Sequence, residues 1–347
     1  MFTLDHWLIA GPCSAESESQ LMQTASELKA RGVRVLRAGL WKPRTLPGSF
    51  EGVGSRGLEW LQRAQRELGM KVCTEVASAE HVRECLDAGL DMVWIGARTS
   101  GNPFQVQEIA DALAGSGMTV LVKNPTSPDL ALWEGAVERI KAAGIENIVL
   151  VYRGFKAFES GKYRNTPHWQ SFFDFRQRYP ELPFICDPSH IAGDASLVGE
   201  VAETAMGMGF DGLMVEVHCN PSVALSDSAQ QLTPGQFDAM MHSLKTRLSD
   251  NQDPLYRDTL SGLRQGIDEL DEELVSVLAR RMDLSRQIGA IKRDNNVSVV
   301  QTGRWDKVIG QALACGESQG LDKKFLSRIF NEIHEASIEE QNRILSE

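Results

Sequence analysis

The sequence predicts an α/β protein, a closed (β/α)8 TIM barrel followed by a small all-α domain of three helices that dimerises. Three observations carry that prediction. From residue 8 to residue 218, short β-branched or apolar runs alternate with amphipathic stretches of helical period. Eight such units in roughly 240 residues match the size of a closed barrel. Polar residues gather where the runs end, and past residue 249 the strand signal gives way to one long helical period.

In order, the strands are expected at 8–13, 33–39, 71–76, 92–96, 119–124, 148–154, 184–190 and 212–218. Cys13, Arg37, Glu75, Arg98, Lys123, Arg153, the run 187–190, and Glu216 with His218 fall at or just past those strand ends. That is the face on which barrel enzymes carry their chemistry. One such residue could equally cap a helix, but eight strand ends behaving alike have no such account. Residues 235–248 read as the eighth barrel helix, which assigns 1–248 to the barrel. The polar stretch 249–254, SDNQDP, ends in an Asp-Pro breaker and reads as a linker.

The second domain spans 255–347. Leu260, Leu263, Ile267, Leu270, Leu274, Val277, Leu284, Ile288 and Ile291 follow three-four steps wherever the pattern is unbroken, which predicts one long helix. Shorter helices are expected around 304–315 and 323–345. A helix of about 35 residues extends roughly 50 Å, more than so small a domain covers by itself. A second copy of the chain is therefore expected to bury it as a homodimer; whether barrel contacts extend the dimer to a tetramer stays open.

Composition narrows the function classes. The 347 residues carry a net charge of −11, which argues against nucleic-acid and anionic-membrane partners, since both need a basic footprint. No apolar run is long enough to span a bilayer. The six cysteines form no CxxC pair and no secretory h-region follows Met1, which fits a reduced cytoplasm.

Two constellations in the barrel point to chemistry. Arg37, Lys42 and Arg44 lie just past the second strand with Pro43 and Thr45, and Gly96-Ala97-Arg98, Lys123 and Arg153 follow strands four to six. A convergent ring of cations in an acidic protein suits phosphorylated acids. The other constellation is Cys13, His190, Glu216 and Asp227, from the ends of strands one, seven and eight. A thiolate, an imidazole and two carboxylates would suit a divalent transition ion better than Mg²⁺ or Ca²⁺. A buried cysteine is more often a small hydrophobe, so these residues alone leave the metal open.

The motifs GPCS, KPRT, GAR, DPSH, EVH and LSD, in this order over almost all of residues 1–240, resemble the type I 3-deoxy-D-arabino-heptulosonate 7-phosphate synthases, specifically their short β subfamily. The resemblance implies condensation of phosphoenolpyruvate with erythrose 4-phosphate, the entry step of aromatic biosynthesis. It implies Cys13, His190, Glu216 and Asp227 as ligands of a divalent transition metal, Mn²⁺ first and Fe²⁺, Co²⁺ or Zn²⁺ as alternatives. Arg37, Lys42, Gly96, Ala97, Arg98, Lys123 and Arg153 would bind phosphoenolpyruvate, and Pro43, Arg44 and Thr45 the aldose phosphate. Lys42 is expected to protonate the alkoxide and Glu75 to activate water. The sister family that makes 3-deoxy-D-manno-octulosonate 8-phosphate shares the barrel and is the alternative; KPRT, where that family typically has an Asn-containing motif, favours the four-carbon acceptor. Family members often carry an N-terminal regulatory domain, and with about seven residues before the first strand, control is expected from elsewhere.

In the long helix, Arg281 occupies a seam position that should be apolar, an expensive placement unless an anion meets it. Lys292, 11 residues on, shares its face, and Ser337 and Gln341 share a face of the last helix. Arg264 lies 17 residues before Arg281, roughly 25 Å along the axis, and could reach a partner's pocket rather than its own. Together with Gln301 and Arg304 the pattern resembles the all-helical chorismate mutases across 255–347. That resemblance implies rearrangement of chorismate to prephenate, with Arg264 from the other subunit and Gln301 where the family commonly has an Asp. The alternative is a non-catalytic dimerisation and sensing module. Prephenate or chorismate bound there is expected to inhibit the barrel.

Overall fold

The computed structural model describes residues 7–43, 48–156, 161–245, 251–299 and 304–346, with Arg304 described in its backbone only. The chain divides into two compact units, Met1–Ser249 and Asp250–Glu347.

The first unit is a closed parallel barrel of eight strands in sequence order: β1 (Trp7–Gly11), β2 (Val35–Arg37), β3 (Lys71–Val76), β4 (Met92–Ile95), β5 (Thr119–Lys123), β6 (Ile148–Tyr152), β7 (Phe184–Cys186) and β8 (Gly212–Glu216). Closure comes from β1 pairing β8 along its whole length, Trp7 opposite Gly212 through Gly11 opposite Glu216. The helices between strands are α1 (Glu18–Ala30), α2 (Arg56–Leu68), α3 (Ala79–Asp87), α4 (Pro103–Leu113), α5 (Leu130–Ala142), α6 (Trp169–Arg178), α7 (Pro188–Ala192) and α8 (Ala195–Gly207); α9 (Pro234–Ser243) follows β8.

Because strand side chains alternate between faces, each strand feeds two cores. Ile9, Val35, Cys73, Met92, Trp94, Leu121, Val149, Val151, Ile185 and Met214 fill the barrel interior. Their neighbours, such as Leu36, Val72, Val93 and Val120, pack outward in the layer under the helices. The interior register then fixes what comes next along each strand. Two residues beyond Val35, Cys73, Leu121, Val151, Ile185 and Met214 stand Arg37, Glu75, Lys123, Arg153, Asp187 and Glu216. The polar layer at the strand ends is thus the continuation of the apolar interior rows.

Several strands are shorter than the sequence suggests. β7 stops at Cys186 because Pro188 offers no N–H to a sheet; Asp187 instead caps α7, its carboxylate accepting from the His190 N–H at 3.1 Å. The eighth barrel helix is α9, which begins at Pro234 with a Thr233–Gln236 capping box and ends at Ser243.

The second unit contains α10 (Pro254–Asp294), α11 (Arg304–Ser318) and α12 (Lys323–Ser346). The Asp-Pro that reads as a breaker is a helix start: Asp253 accepts from the Leu255 N–H at 3.0 Å and Pro254 is the first helical residue. α10 therefore runs for 41 residues. Ser285 and Gly289, one turn apart, let α12 lie close. A Cβ on Gly289 would sit 3.2 Å from the Gln341 Cα, and the Ser285 hydroxyl donates to the Ser337 carbonyl at 3.2 Å. Among the described residues no helix is long and apolar enough to cross a membrane.

Candidate active sites

Loop geometry brings distant strand ends together at the barrel mouth. The β1 and β2 loops are tied by Gly39 N–H to the Cys13 carbonyl at 3.2 Å and Ala15 N–H to the Gly39 carbonyl at 3.0 Å. The chain after β8 folds back, with Leu232 N–H donating to the Glu216 carbonyl at 3.0 Å and His218 N–H to the Leu232 carbonyl at 2.9 Å. That return brings Asp227 over the barrel in a left-handed conformation, φ 45°, which is uncommon for a non-glycine residue. Gln231 accepts from the Cys13 N–H at 3.0 Å and Gln230 donates to Glu216 at 2.8 Å, so the same loop fixes two more of the cluster.

The Cys13 Sγ and carboxylate oxygens of Glu216 and Asp227 all lie within 4.8 Å of one another. His190 Nε2 is 3.8 Å from Glu216 and 3.9 Å from Asp227. Bonds of about 2.0–2.3 Å to one ion would put donor atoms roughly 3–4.5 Å apart, so Cys13, Glu216 and Asp227 fit a divalent transition ion, with His190 at that spacing from both carboxylates. Its orientation fits too. Asp187 pairs with His190 Nδ1 at 2.8 Å, which turns Nε2 toward the cluster, the usual way a carboxylate presents a ligating imidazole. Burial, with the carboxylate of Glu216 beside it, pushes the Cys13 thiol up to about 12, and a bound cation would reverse that balance.

Next to this cluster is a cavity of about 70 Å³ lined by Arg37, Arg98, Lys123, Arg153 and Arg164 among others. Arg37 is fully buried, donates to Glu216 at 2.9 Å and lies 4.9 Å over the Trp94 ring. Among the described residues its Nε and one Nη have no hydrogen-bond partner, although that Nη lies 3.9 Å from Asp187. Burial opposes its charge, but Glu216 and Asp187 outweigh that and hold its pKa above the ordinary value. Lys123 donates to Asp187 at 2.6 Å, and burial nevertheless lowers its pKa. Burial likewise brings Arg153 down to about 10. Asp187, held far below the usual carboxylate range by His190 and Lys123 despite its burial, thus joins the cation ring to the metal-type cluster. Lys42 stands 3.9 Å from Glu75. A Cβ on Gly96 would fall 2.0 Å from the Glu75 carboxylate, so only glycine leaves room for that side chain.

The helical unit holds a second cavity, about 360 Å³, lined by Arg281, Lys292, Ser337 and Gln341 with Trp305 and His334. Arg281 donates to the Ser337 hydroxyl and Lys292 to Gln341 at 3.1 Å. No acidic side chain is among the described residues that line it. Arg264 is exposed on α10 and outside this cavity. Arg44, Thr45, Gln301 and the Arg304 side chain lie outside the described residues.

Sequence reasoning missed Arg164 and Trp94. Arg164 precedes α6 in a polar stretch with no strand-end signal; it reaches the site because Gly193, at φ 72°, leaves space a Cβ would take 2.3 Å from the Arg164 Cβ. It donates to Gln230 at 2.7 Å and Asp227 at 3.2 Å. Trp94 reads as core, and its place in the interior row, one inward step below Gly96, is the signal that could have found it.

Residues 4–253 match the DAHP synthetase I family. The chain belongs to that family. Residues 263–342 match chorismate mutase type II, so the enzyme carries a DAHP synthase domain and a chorismate mutase domain. A phospho-2-dehydro-3-deoxyheptonate aldolase of Thermotoga maritima is 36% identical over 243 residues, 70% of each chain. A crystal structure of that DAHP synthase aligns with TM-score 0.62 at 35% identity, covering 68% of this chain and 67% of the other. A 2-dehydro-3-deoxyphosphooctonate aldolase of Nitratidesulfovibrio vulgaris is similar at 28% identity over 69% of this chain and 90% of its own.

Proposed function

We propose that the barrel condenses phosphoenolpyruvate with erythrose 4-phosphate in a metal-dependent reaction, and that the helical domain rearranges chorismate to prephenate as a homodimer. The observation that carries the first part is Arg37, two of whose nitrogens have no hydrogen-bond partner among the described residues and which lies beside buried Lys123 and Arg153, with the more exposed Arg98 and Arg164 at the same cavity. A fully desolvated guanidinium with open donors calls for an anion. Phosphoenolpyruvate supplies two, held by Arg37, Lys42, Arg98, Lys123 and Arg153 beside the backbone of Gly96 and Ala97.

A divalent ion held by Cys13, His190, Glu216 and Asp227 would act as a Lewis acid toward the aldehyde. Pro43, Arg44 and Thr45 bind the aldose phosphate in this reading. C3 of the enol phosphate attacks the aldehyde carbon, and the ammonium of Lys42 gives a proton to the oxygen that gains charge. Lys42 enters that step protonated: despite burial, Cys13 and Glu75 raise its pKa above the ordinary lysine value. Water then adds at C2, Glu75 takes its proton, and inorganic phosphate leaves while the cations hold it.

The heptonate aldolase is the more similar relative, 36% against 28% for the octonate aldolase, which supports the four-carbon acceptor. With phosphoenolpyruvate saturating, erythrose 4-phosphate is expected to be turned over at least about 100-fold faster than arabinose 5-phosphate, as kcat/KM. Faster consumption of arabinose 5-phosphate would make the barrel an octulosonate synthase instead.

In the helical cavity, Arg281 and Arg304 would clamp the two carboxylates of chorismate, and Lys292 and Gln341 would stabilise charge on the ether oxygen, with Ser337 and Gln301 as further contacts. The dimer reading is supported by an exposed apolar stripe on α10: Leu263, Ile267, Leu270 and Leu274 each expose more than half their surface. Burying each against a second copy would contribute about 1.5–3 kcal/mol. Arg264, on that helix, would then complete the partner's site. Prephenate, held in the helical domain, is proposed to suppress the barrel. Saturating prephenate is expected to cut the rate of phosphoenolpyruvate loss severalfold, and an unchanged rate would remove the regulatory part of this reading.

A further inference from the structure

The helical cavity carries a titratable group that the reading above does not use. His334 projects from α12 into the cavity wall, and its ring stacks on the Trp305 indole with centroids 4.0 Å apart and planes 12° from parallel. The stack fixes the imidazole plane at low entropic cost. The ring-edge nitrogens, which carry the proton chemistry, have no hydrogen-bond partner among the described residues, and the residue lines the cavity. Arg281 approaches from α10, donating to the carbonyl of Ile333, the residue before His334, at 3.4 Å and to Ser337, one turn on. Within α12 the residues one turn away, Phe330, Asn331, Ser337 and Ile338, are uncharged. From α11, Trp305 is the facing group. Arg281 is the one described charged group whose field bears on the imidazole.

We propose that His334 is a proton-coupled anion contact of this cavity: it takes up a proton as a dicarboxylate enters and adds a positive charge beside Arg281 and Lys292. This rests on reading the cavity as the chorismate and prephenate site. The logic is electrostatic. Desolvation and the charge of Arg281 hold His334 below the ordinary histidine pKa, so it is neutral near pH 7 without ligand. A carboxylate brought to Arg281 cancels that repulsion and supplies a counter-charge, which raises the imidazole pKa. A site whose occupant raises a pKa binds more tightly as pH falls through the window between the free and bound values, by at most about tenfold per pH unit.

The test is calorimetric titration of the full chain with prephenate between about pH 6.5 and 8, in PIPES and in Tris, whose ionisation enthalpies differ. The expected result is net proton uptake on binding and a Kd that weakens severalfold as pH rises. His334→Phe keeps a ring against Trp305 and removes the proton. It should bind prephenate with a Kd flat in pH and no uptake, at an unchanged melting temperature. Binding to the unaltered chain with no buffer dependence, or uptake that persists undiminished in His334→Phe, overturns the proposal and leaves the cavity's assignment standing. No binding of prephenate to the unaltered chain at any pH overturns both.

Discussion

Replacing Cys13 with Ala is expected to abolish synthase activity, by more than about 100-fold in kcat, while the barrel stays folded. The thiol is fully buried among carboxylates and its backbone N–H is held by Gln231, so truncation removes a donor without disturbing the loop. Metal retained after gel filtration should fall with the rate, and the melting temperature without metal should change little. A Cys13→Ala enzyme with full activity and full metal content would remove the thiol from the ligand set. The cluster itself argues against a merely structural cysteine. A thiol and two carboxylates lie within 4.8 Å of one another, and Asp187 orients His190 toward the two carboxylates.

Arg281→Ala is expected to lower chorismate mutase activity by on the order of 10²–10³-fold and to leave the barrel reaction without prephenate unchanged. Arg281 reaches from α10 to α12, where Arg286 pairs with Glu340, but its own hydrogen bonds go to neutral oxygens of Ile333 and Ser337, so among the described residues its charge is not spent on a carboxylate. Chorismate loss followed by absorbance on the full chain gives the rate directly. Activity retained in Arg281→Ala would favour the alternative in which the helical domain senses and dimerises without catalysing.

The two predictions rest on features of different legibility. Alternation of β-branched or apolar runs with amphipathic stretches, together with polar residues at the run ends, makes the barrel readable. The interior rows that end in Arg37, Glu75, Lys123, Arg153 and Glu216 are the same rows whose apolar members mark the strands. Arg281 was visible for the opposite reason, as a charge in a run of leucines. Asp227 was found by motif, but its left-handed backbone and the fold-back that carries it depend on pairings such as Val217 with Leu232 that no local pattern encodes. Arg164 depends on a glycine 29 positions away, and Asp187's bridge between Lys123 and His190 depends on the ends of β5 and β7 meeting. The strand ends that the sequence predicts run past the observed ones where proline or a cap intervenes, as at Pro188. Asp-Pro at 253–254 shows the same ambiguity in reverse, since one dipeptide can stop a strand or start a helix.

The central claim is that these residues form a metal-dependent heptulosonate phosphate synthase. The most direct test is the initial rate of phosphoenolpyruvate loss with erythrose 4-phosphate, on full-length protein stripped by chelator and then resupplied with Mn²⁺, Fe²⁺, Co²⁺ or Zn²⁺ in turn. The account predicts negligible loss in the stripped enzyme and a rate restored by at least one of these ions, with one inorganic phosphate released per phosphoenolpyruvate consumed. A full rate in the stripped enzyme, or none with any of the four ions, would contradict it.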